Sequence, residues 1–219
     1  MIQVTRTGTV FSGSADDLED LKIQFDRQHC IRLPQLLEPQ LLRLFQHQID
    51  KAEFYERVHE HVVPPPVDLC MKANKTAASL SFLMNDPFLF KLIEQITGCP
   101  RIGCFSGAVY RLVPGLHHDS WHDDLNDNNL VSMSINVSTD IYSGGVLQIR
   151  DRNSQKILHE AANTGFGDGI IFRISPDLLH RVSKIEGVAA RTAYAGFFQL
   201  KPDFDSRLKN RLSGSFVGY

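Results

Sequence analysis

The chain has 219 residues and a formal net charge of −2, so it lacks the strongly basic character that is typical of nucleic-acid-binding proteins. Apolar residues make up 42% and charged residues 22%, as in ordinary globular proteins, and no apolar run approaches the roughly 20 residues that span a bilayer. The N-terminus lacks the apolar stretch of a secretory signal and the four cysteines form no C-x-x-C pair, so we expect a cytoplasmic protein without nucleic-acid or membrane partners.

Three helices are predicted in the first hundred residues. The first begins at Ser14, which is followed three residues later by an acidic residue and then by apolar residues at helical spacing. The second begins at Pro39, a favourable first-turn residue, and the third has Asp86 as its cap and Gly98 as its end. We interpret the apolar stripes of these helices as core packing, and we expect residues 64–66, three prolines, to form a stiff connector.

From Cys104 onward the apolar period changes to two. Residues 131–138 alternate between apolar and small polar side chains. Further strand candidates, separated by turns rich in Gly, Asn and Asp, are 104–113, 145–150, 169–174, 178–184 and 190–199. Because no helical segment separates these strands, they favour an antiparallel sandwich or barrel. The predicted fold is mainly β: a helical N-terminal support region, 1–103, and a jelly roll, 104–219, that together form one compact domain.

The densest polar cluster is HHDSWHDD, residues 117–124, between two predicted strands. A surface loop rich in His and Asp would also explain this composition. A His-x-Asp pair, however, directs an imidazole and a carboxylate towards one point, and the cluster contains two such pairs, His117/Asp119 and His122/Asp124. We prefer His122 and Asp124, because they lie closer to the strand at 130–138, whose backbone can anchor the loop.

A third metal ligand is expected on a later strand. His180 follows a glycine-rich turn and an apolar strand, although a lone histidine in a strand is more often a core residue. Two histidines and one carboxylate occupy one face of an octahedron and leave three positions open. That arrangement suits non-haem Fe(II), which must also bind a chelating cosubstrate and O2.

Arg191 lies eleven positions after His180 and begins a strand whose same-face neighbours are small or apolar. An arginine in such surroundings needs a partner, and a carboxylate ligand would provide a bidentate one. Ser134 and Asn136, on the polar face of the strand at 130–138, are candidates for further hydrogen bonds to that ligand. The sequence therefore predicts an anion site near the metal site, as a chelating 2-oxo acid requires.

These motifs, taken in order, resemble the Fe(II)/2-oxoglutarate-dependent oxygenase superfamily, particularly its prolyl-hydroxylase-like branch. The resemblance covers about half of the chain, roughly residues 104–200. Its parts in chain order are YRLVPG at 110–115, WHDD at 121–124, the strand at 130–138, SGGVLQI at 143–149, GDGIIF at 167–172, His180 and Arg191. The resemblance implies a double-stranded β-helix in which His122, Asp124 and His180 bind Fe(II) and Arg191 binds the distal carboxylate of 2-oxoglutarate.

By this resemblance the protein is a dioxygenase that uses Fe(II), 2-oxoglutarate and O2 to hydroxylate a small molecule or a short peptide-like substrate, releasing succinate and CO2. The acidic ligand Asp124 favours hydroxylation, because related halogenases carry a small residue in its place. Asn136 occupies a position where many relatives have a tyrosine or another polar residue that contacts the carboxylate.

Several alternatives remain open at this stage. A cupin-like metal-binding jelly roll without oxygenase activity would share the metal ligands but would not need Arg191, and a protein-residue hydroxylase would share both. Arg111 and Trp121 are assigned to the substrate pocket, with a surface ion pair and simple packing of the loop as their respective alternatives. The substrate and the oligomeric state are not given by the sequence.

Overall fold

The structure is a computed structural model that describes residues 1–58, 67–116, 120–162 and 165–202. Its helices are α1 (Ala15–Gln28), α2 (Pro39–Asp50), α3 (Lys75–Met84) and α4 (Pro87–Thr97). The Ser14 side chain caps α1, Pro39 opens α2, and α4 begins after Asp86 and ends at Gly98 in the left-handed conformation. The three predicted helices are thus confirmed, and no described helix is long and apolar enough to cross a membrane.

One of the four helices, α3, was not predicted. Asn74 nevertheless caps it by accepting a hydrogen bond from the backbone N–H of Ala77. Its apolar residues form no clear stripe, so the sequence pattern alone does not reveal it. The predicted connector at 64–66 lies outside the described residues.

The described residues also form fourteen strands. They are β1 (Ile2–Thr5), β2 (Gly8–Phe11), β3 (Cys30–Leu33), β4 (Phe54–Val58), β5 (Val67–Met71), β6 (Cys104–Leu112), β7 (Asn129–Asn136), β8 (Ser143–Gly144), β9 (Leu147–Asp151), β10 (Ile157–Ala161), β11 (Gly169–Arg173), β12 (Leu178–Val182), β13 (Ile185–Glu186) and β14 (Arg191–Gln199). Five of these strands precede residue 104, where the sequence predicted helices alone. Strands of four or five residues contain too few alternating positions to be recognised from a period of two.

Ten of the strands build two facing sheets, and the other four form the two-stranded sheets β1-β2 and β8-β13. The large sheet has seven antiparallel strands in the order β3-β11-β7-β14-β6-β5-β4, and the small sheet has the order β10-β9-β12. Leu147 and Ile149 of the small sheet pack against Ile170 and Phe172 of the large sheet. This pair of packed antiparallel sheets is the predicted jelly roll.

The large sheet has two distinct faces. Val131, Met133 and Ile135 are buried in the core that the sheet shares with the helices, as the predicted alternation of β7 requires. Ser134 and Asn136 therefore lie on the opposite face, towards the small sheet. The space between the two sheets is where the candidate site lies.

Candidate active site

Three side chains that can bind a metal converge between the sheets. The Nε2 atom of His180, on β12, lies 3.0 Å from Oδ2 of Asp124, and Nε2 of His122 lies 3.9 Å from the same oxygen. Each residue offers one ligand atom, and these atoms all lie within 4.8 Å of one another. No second group of this kind occurs in the described residues. A single small cation would reach all three atoms.

The backbone brings His122 and His180 together. The N–H of His122 donates to the carbonyl of His180 at 3.1 Å, and the N–H of His180 donates to the carbonyl of His122 at 2.9 Å. Residues paired in this way across an antiparallel bridge project to the same side, and the two ring centroids lie 4.4 Å apart. The Asn129 side chain donates to the carbonyl of Asp124 at 3.0 Å and so anchors the third ligand residue.

The hydrogen bond of His122 fits a role as a metal ligand. Its Nδ1 lies 2.9 Å from the carbonyl oxygen of Ser120, which can only accept a hydrogen bond. In the neutral imidazole the proton therefore belongs on Nδ1, and the lone pair on Nε2 is directed towards Asp124 and His180. Two imidazole nitrogens and a carboxylate oxygen form a donor set that suits Fe(II).

Arg191 lies at the start of β14 on the same interior face. Its side chain is almost fully buried; Nη2 donates to Oγ of Ser134 at 2.9 Å, and Nε has no hydrogen-bond partner. No carboxylate in the described part of the chain forms an ion pair with it. A buried guanidinium group without an anion is unfavourable, so this position fits the carboxylate of a ligand.

The two polar residues of β7 differ in their surroundings. Ser134 contacts Arg191 directly, whereas the carbonyl oxygen of the fully buried Asn136 side chain accepts a hydrogen bond from the backbone N–H of Ser138. Contact with a cosubstrate stays a prediction for both residues.

Arg111 does not lie in the pocket. It pairs with Thr192 across β6 and β14, so it is on the face of the sheet opposite to Arg191. Its guanidinium carbon lies 4.2 Å from the centre of the Phe54 ring, and Nη2 is 3.9 Å from a carboxylate oxygen of Asp50. The assignment of Arg111 to the substrate pocket is therefore wrong, and the alternative of an ion pair is the one found.

Trp121 also lies outside the pocket. In the extended segment that contains His122, adjacent side chains project to opposite sides, and the indole contacts Arg150 and Arg181 on the outer face of the small sheet. The structure contradicts its assignment to the substrate pocket and agrees with a role in packing the loop.

The other His-x-Asp pair, His117 and Asp119, lies outside the described residues. The preference for His122 and Asp124 as ligands therefore stays a prediction, and its structural support is their proximity to His180. Sequence reasoning missed Ser120 and Asn129, which orient the candidate ligands. No local motif marks them, because their contacts depend on how the loop folds back onto β7 and β12.

Comparison with known proteins identifies the fold. No protein-family profile and no curated protein matches the sequence. A 2-oxoglutarate-Fe(II) oxygenase family oxidoreductase from Burkholderia pseudomallei matches with a TM-score of 0.67 and 12% identity, over 86% of this chain and 93% of that chain. A prolyl-4-hydroxylase from Pseudomonas putida matches with a TM-score of 0.61 and 16% identity, over 83% and 98%.

A third similar structure is the epimerase SnoN in complex with Fe3+, alpha-ketoglutarate and a nogalamycin compound. It matches with a TM-score of 0.62 and 11% identity, over 89% of this chain and 90% of that chain. The chain thus has the fold of the 2-oxoglutarate-Fe(II) oxygenases, as the resemblance of its motifs predicted.

Proposed function

We propose that the protein is a Fe(II)- and 2-oxoglutarate-dependent dioxygenase that hydroxylates a small molecule or a short peptide-like substrate. One observation carries the proposal: the His122–Asp124–His180 cluster shares the interior of the jelly roll with Arg191, a buried cation that has no carboxylate partner in the described residues. A metal-binding jelly roll of the cupin type needs the cluster but has no use for the buried arginine.

The spacing between the candidate metal cluster and Arg191 suits 2-oxoglutarate. The guanidinium group of Arg191 reaches Ser134, while the ring of His180 lies 4.7 Å from that of Phe172, which pairs with Ser132. Ser132 and Ser134 are two residues apart on β7, a separation of about 7 Å along a strand. A five-carbon dicarboxylate can bridge that distance, with one end at the metal and the other at the arginine.

Each residue then has a defined task. His122, Asp124 and His180 would hold Fe(II), and Arg191, assisted by Ser134, would hold the distal carboxylate of 2-oxoglutarate. Fe(II) bound there together with the 2-oxo acid would supply the activation of O2 that the reaction needs. Apolar residues packed between the sheets line the interior beside the site.

The choice of hydroxylation rests on Asp124, because a carboxylate ligand fills the position that halide would need. Proteins of this fold catalyse other outcomes as well, as the epimerase shows. We also propose a cytoplasmic location, for which the thiols of the buried Cys30 and Cys70 are the support.

Anaerobic titration with Fe(II) and 2-oxoglutarate tests the proposal. We expect one Fe(II) per chain, 2-oxoglutarate binding that depends on the metal, and slow succinate formation once O2 is admitted. A library of metabolites and short peptides would then be searched for compounds that raise succinate production. Metal binding without 2-oxoglutarate binding would instead support the cupin-like alternative.

A further inference from the structure

An aromatic–cationic cluster lies on the outer face of the small sheet, directly behind the candidate metal ligands. The guanidinium carbons of Arg150 on β9 and Arg181 on β12 lie 4.2 Å and 4.6 Å from the centre of the Trp121 ring. A guanidinium group over an indole face is attracted by the π electrons. Trp121 is the only tryptophan in the chain and immediately precedes His122.

Each of the two arginines is affected by a neighbouring polar or charged group. Arg181 is oriented by Gln148, which accepts a hydrogen bond from its Nε at 2.7 Å and itself donates to Glu160. Burial, and then the charge of Arg181, lower the pKa of Arg150. Holding two guanidinium groups close together is unfavourable, and the shared indole compensates for that repulsion.

The cluster is coupled to the metal ligands through the backbone. His122 and His180 form the antiparallel bridge, with both imidazoles directed inwards. Trp121 precedes the first of these residues and Arg181 follows the second, so their side chains meet on the outer side of the same bridge. The contact therefore adds an outer attachment to the two backbone hydrogen bonds that hold the ligand segment against β12.

We propose that Trp121 is a positioning residue, whose indole, held by Arg150 and Arg181, keeps His122 in register with His180. This inference rests on the proposed metal site. A separate ion pair between Arg152 and Asp123 also ties the segment to the small sheet. That pair stays intact when Trp121 is changed, so we expect weakened metal binding and not its complete loss.

The dissociation constant of Mn(II), measured by calorimetry on the full-length protein, is the primary test. We expect Trp121→Ala and Arg181→Gln to bind about 10- to 100-fold more weakly than the wild type, the range for loss of a group that orients a ligand. Trp121→Phe keeps an aromatic face and should recover most of the affinity. His122→Ala, which removes a ligand, should abolish binding.

Arg111→Gln and Phe54→Ala are matched controls, because they break the same type of contact on the helix side of the large sheet. Both should bind Mn(II) as the wild type does. The emission of the single tryptophan gives a readout independent of the metal: in Arg181→Gln it should shift to longer wavelength as the indole becomes exposed to water.

The possible failures are distinguishable. Wild-type affinity in both Trp121→Ala and Arg181→Gln, with only the thermal stability of the apoprotein reduced, would overturn the positioning role. If Trp121→Ala does not fold, the comparison of Arg181→Gln with Arg111→Gln still decides the matter. If the wild type and His122→Ala bind Mn(II) equally, the proposed metal site itself is wrong.

Discussion

At the scale of single residues, Arg191 separates a metal-binding jelly roll from an oxygenase. Its side chain is buried where the sheet supplies one hydroxyl, from Ser134, and leaves Nε without a partner. A buried charge of this kind is tolerated when a ligand completes its surroundings. The same logic does not apply to Arg111, whose guanidinium group already contacts Phe54 and Asp50.

Replacing Arg191 by alanine should weaken 2-oxoglutarate binding by roughly 2 to 4 kcal/mol, because the distal carboxylate loses its charged partner. Metal affinity should change little, since Arg191 is not one of the three candidate ligands. Calorimetric titrations of Mn(II) and 2-oxoglutarate measure the two separately, and Arg191→Lys should restore only part of the loss. Equal weakening of both would indicate that Arg191 maintains the fold.

His29 makes stability depend on pH. It ends α1 in the left-handed conformation, with φ of 58°. Burial, followed by the charge of Arg173, lowers the pKa of His29. The pKa of this histidine in the unfolded chain is near 6.5, and its pKa in the folded state lies below that value. Below that pH the unfolded state binds the proton more readily, so the contribution of His29 is lost as the pH falls.

We therefore expect His29→Asn to make the free energy of unfolding less dependent on pH between about 7 and 5. Asparagine tolerates the left-handed conformation and does not titrate. Urea unfolding at several pH values measures the slope, with His47→Asn, a change on the exposed side of α2, as the control. An unchanged slope in His29→Asn would show that burial of this ring is not what couples folding to pH.

At the scale of elements, the connection between β8 and β9 passes close to Arg191, the proposed anion site. Gly145 has φ of 64°, and a Cβ atom placed there would lie 2.9 Å from Cδ of Arg191 and 2.8 Å from Cδ1 of Ile185. The glycine thus permits the backbone to pass close to the arginine. Gly187 has a similar φ of 77° but nothing within 4 Å of such a Cβ.

Gly145→Ala should destabilise the protein by about 1 to 2 kcal/mol through its left-handed backbone and should also displace Arg191. We expect weaker 2-oxoglutarate binding as a result. Gly187→Ala is the matched control, with a comparable backbone penalty and unchanged affinity. Chemical denaturation and calorimetry measure the two effects, and equal 2-oxoglutarate affinities in the two variants would refute a steric role for Gly145.

The elements also show how far the sequence predicts the structure. Helix ends with specific chemistry, such as Ser14 and Gly98, were predictable because capping is local. The strand β7 was predictable because its alternation extends over eight residues. The strand β3 was not, since its four residues are specified by pairing with β11. Short strands of this kind depend on partners distant in sequence.

The candidate site was likewise predictable from the sequence only in part. Residue type and order led to His180 and Arg191 as candidates; the structure buries both side chains, and their roles stay predictions. The direction of Arg111 was not predictable, because it depends on the register between β6 and β14, in which Arg111 pairs with Thr192. A shift of one residue in that register would have turned its side chain into the pocket.

At the scale of the whole molecule, the jelly roll separates two tasks. The face of the large sheet towards the helices forms the main apolar core, while the opposite face and the small sheet enclose the candidate site. The candidate metal ligands come from two segments, the loop with His122 and Asp124 and the strand with His180. A bound cation would therefore add a link between these two segments to the backbone bridge that already joins His122 and His180.

Ligand binding should accordingly stabilise the native protein, and 2-oxoglutarate should bind only after the metal. When both ligands are present at 100 times their dissociation constants, each should add about 2.7 kcal/mol to the free energy of unfolding. Each should thereby raise the melting temperature by roughly 5 to 10 °C. In the proposed arrangement one end of the 2-oxo acid would bind the metal, so 2-oxoglutarate should have little effect once the metal is removed by a chelator. His122→Ala should lose both shifts, whereas Arg191→Ala should keep the shift from Mn(II) and lose the one from 2-oxoglutarate.

Thermal unfolding with each ligand alone and with both measures these effects. A shift from 2-oxoglutarate that persists in His122→Ala and in the presence of chelator would mean that the dicarboxylate binds away from the metal, and the proposed arrangement would then be wrong.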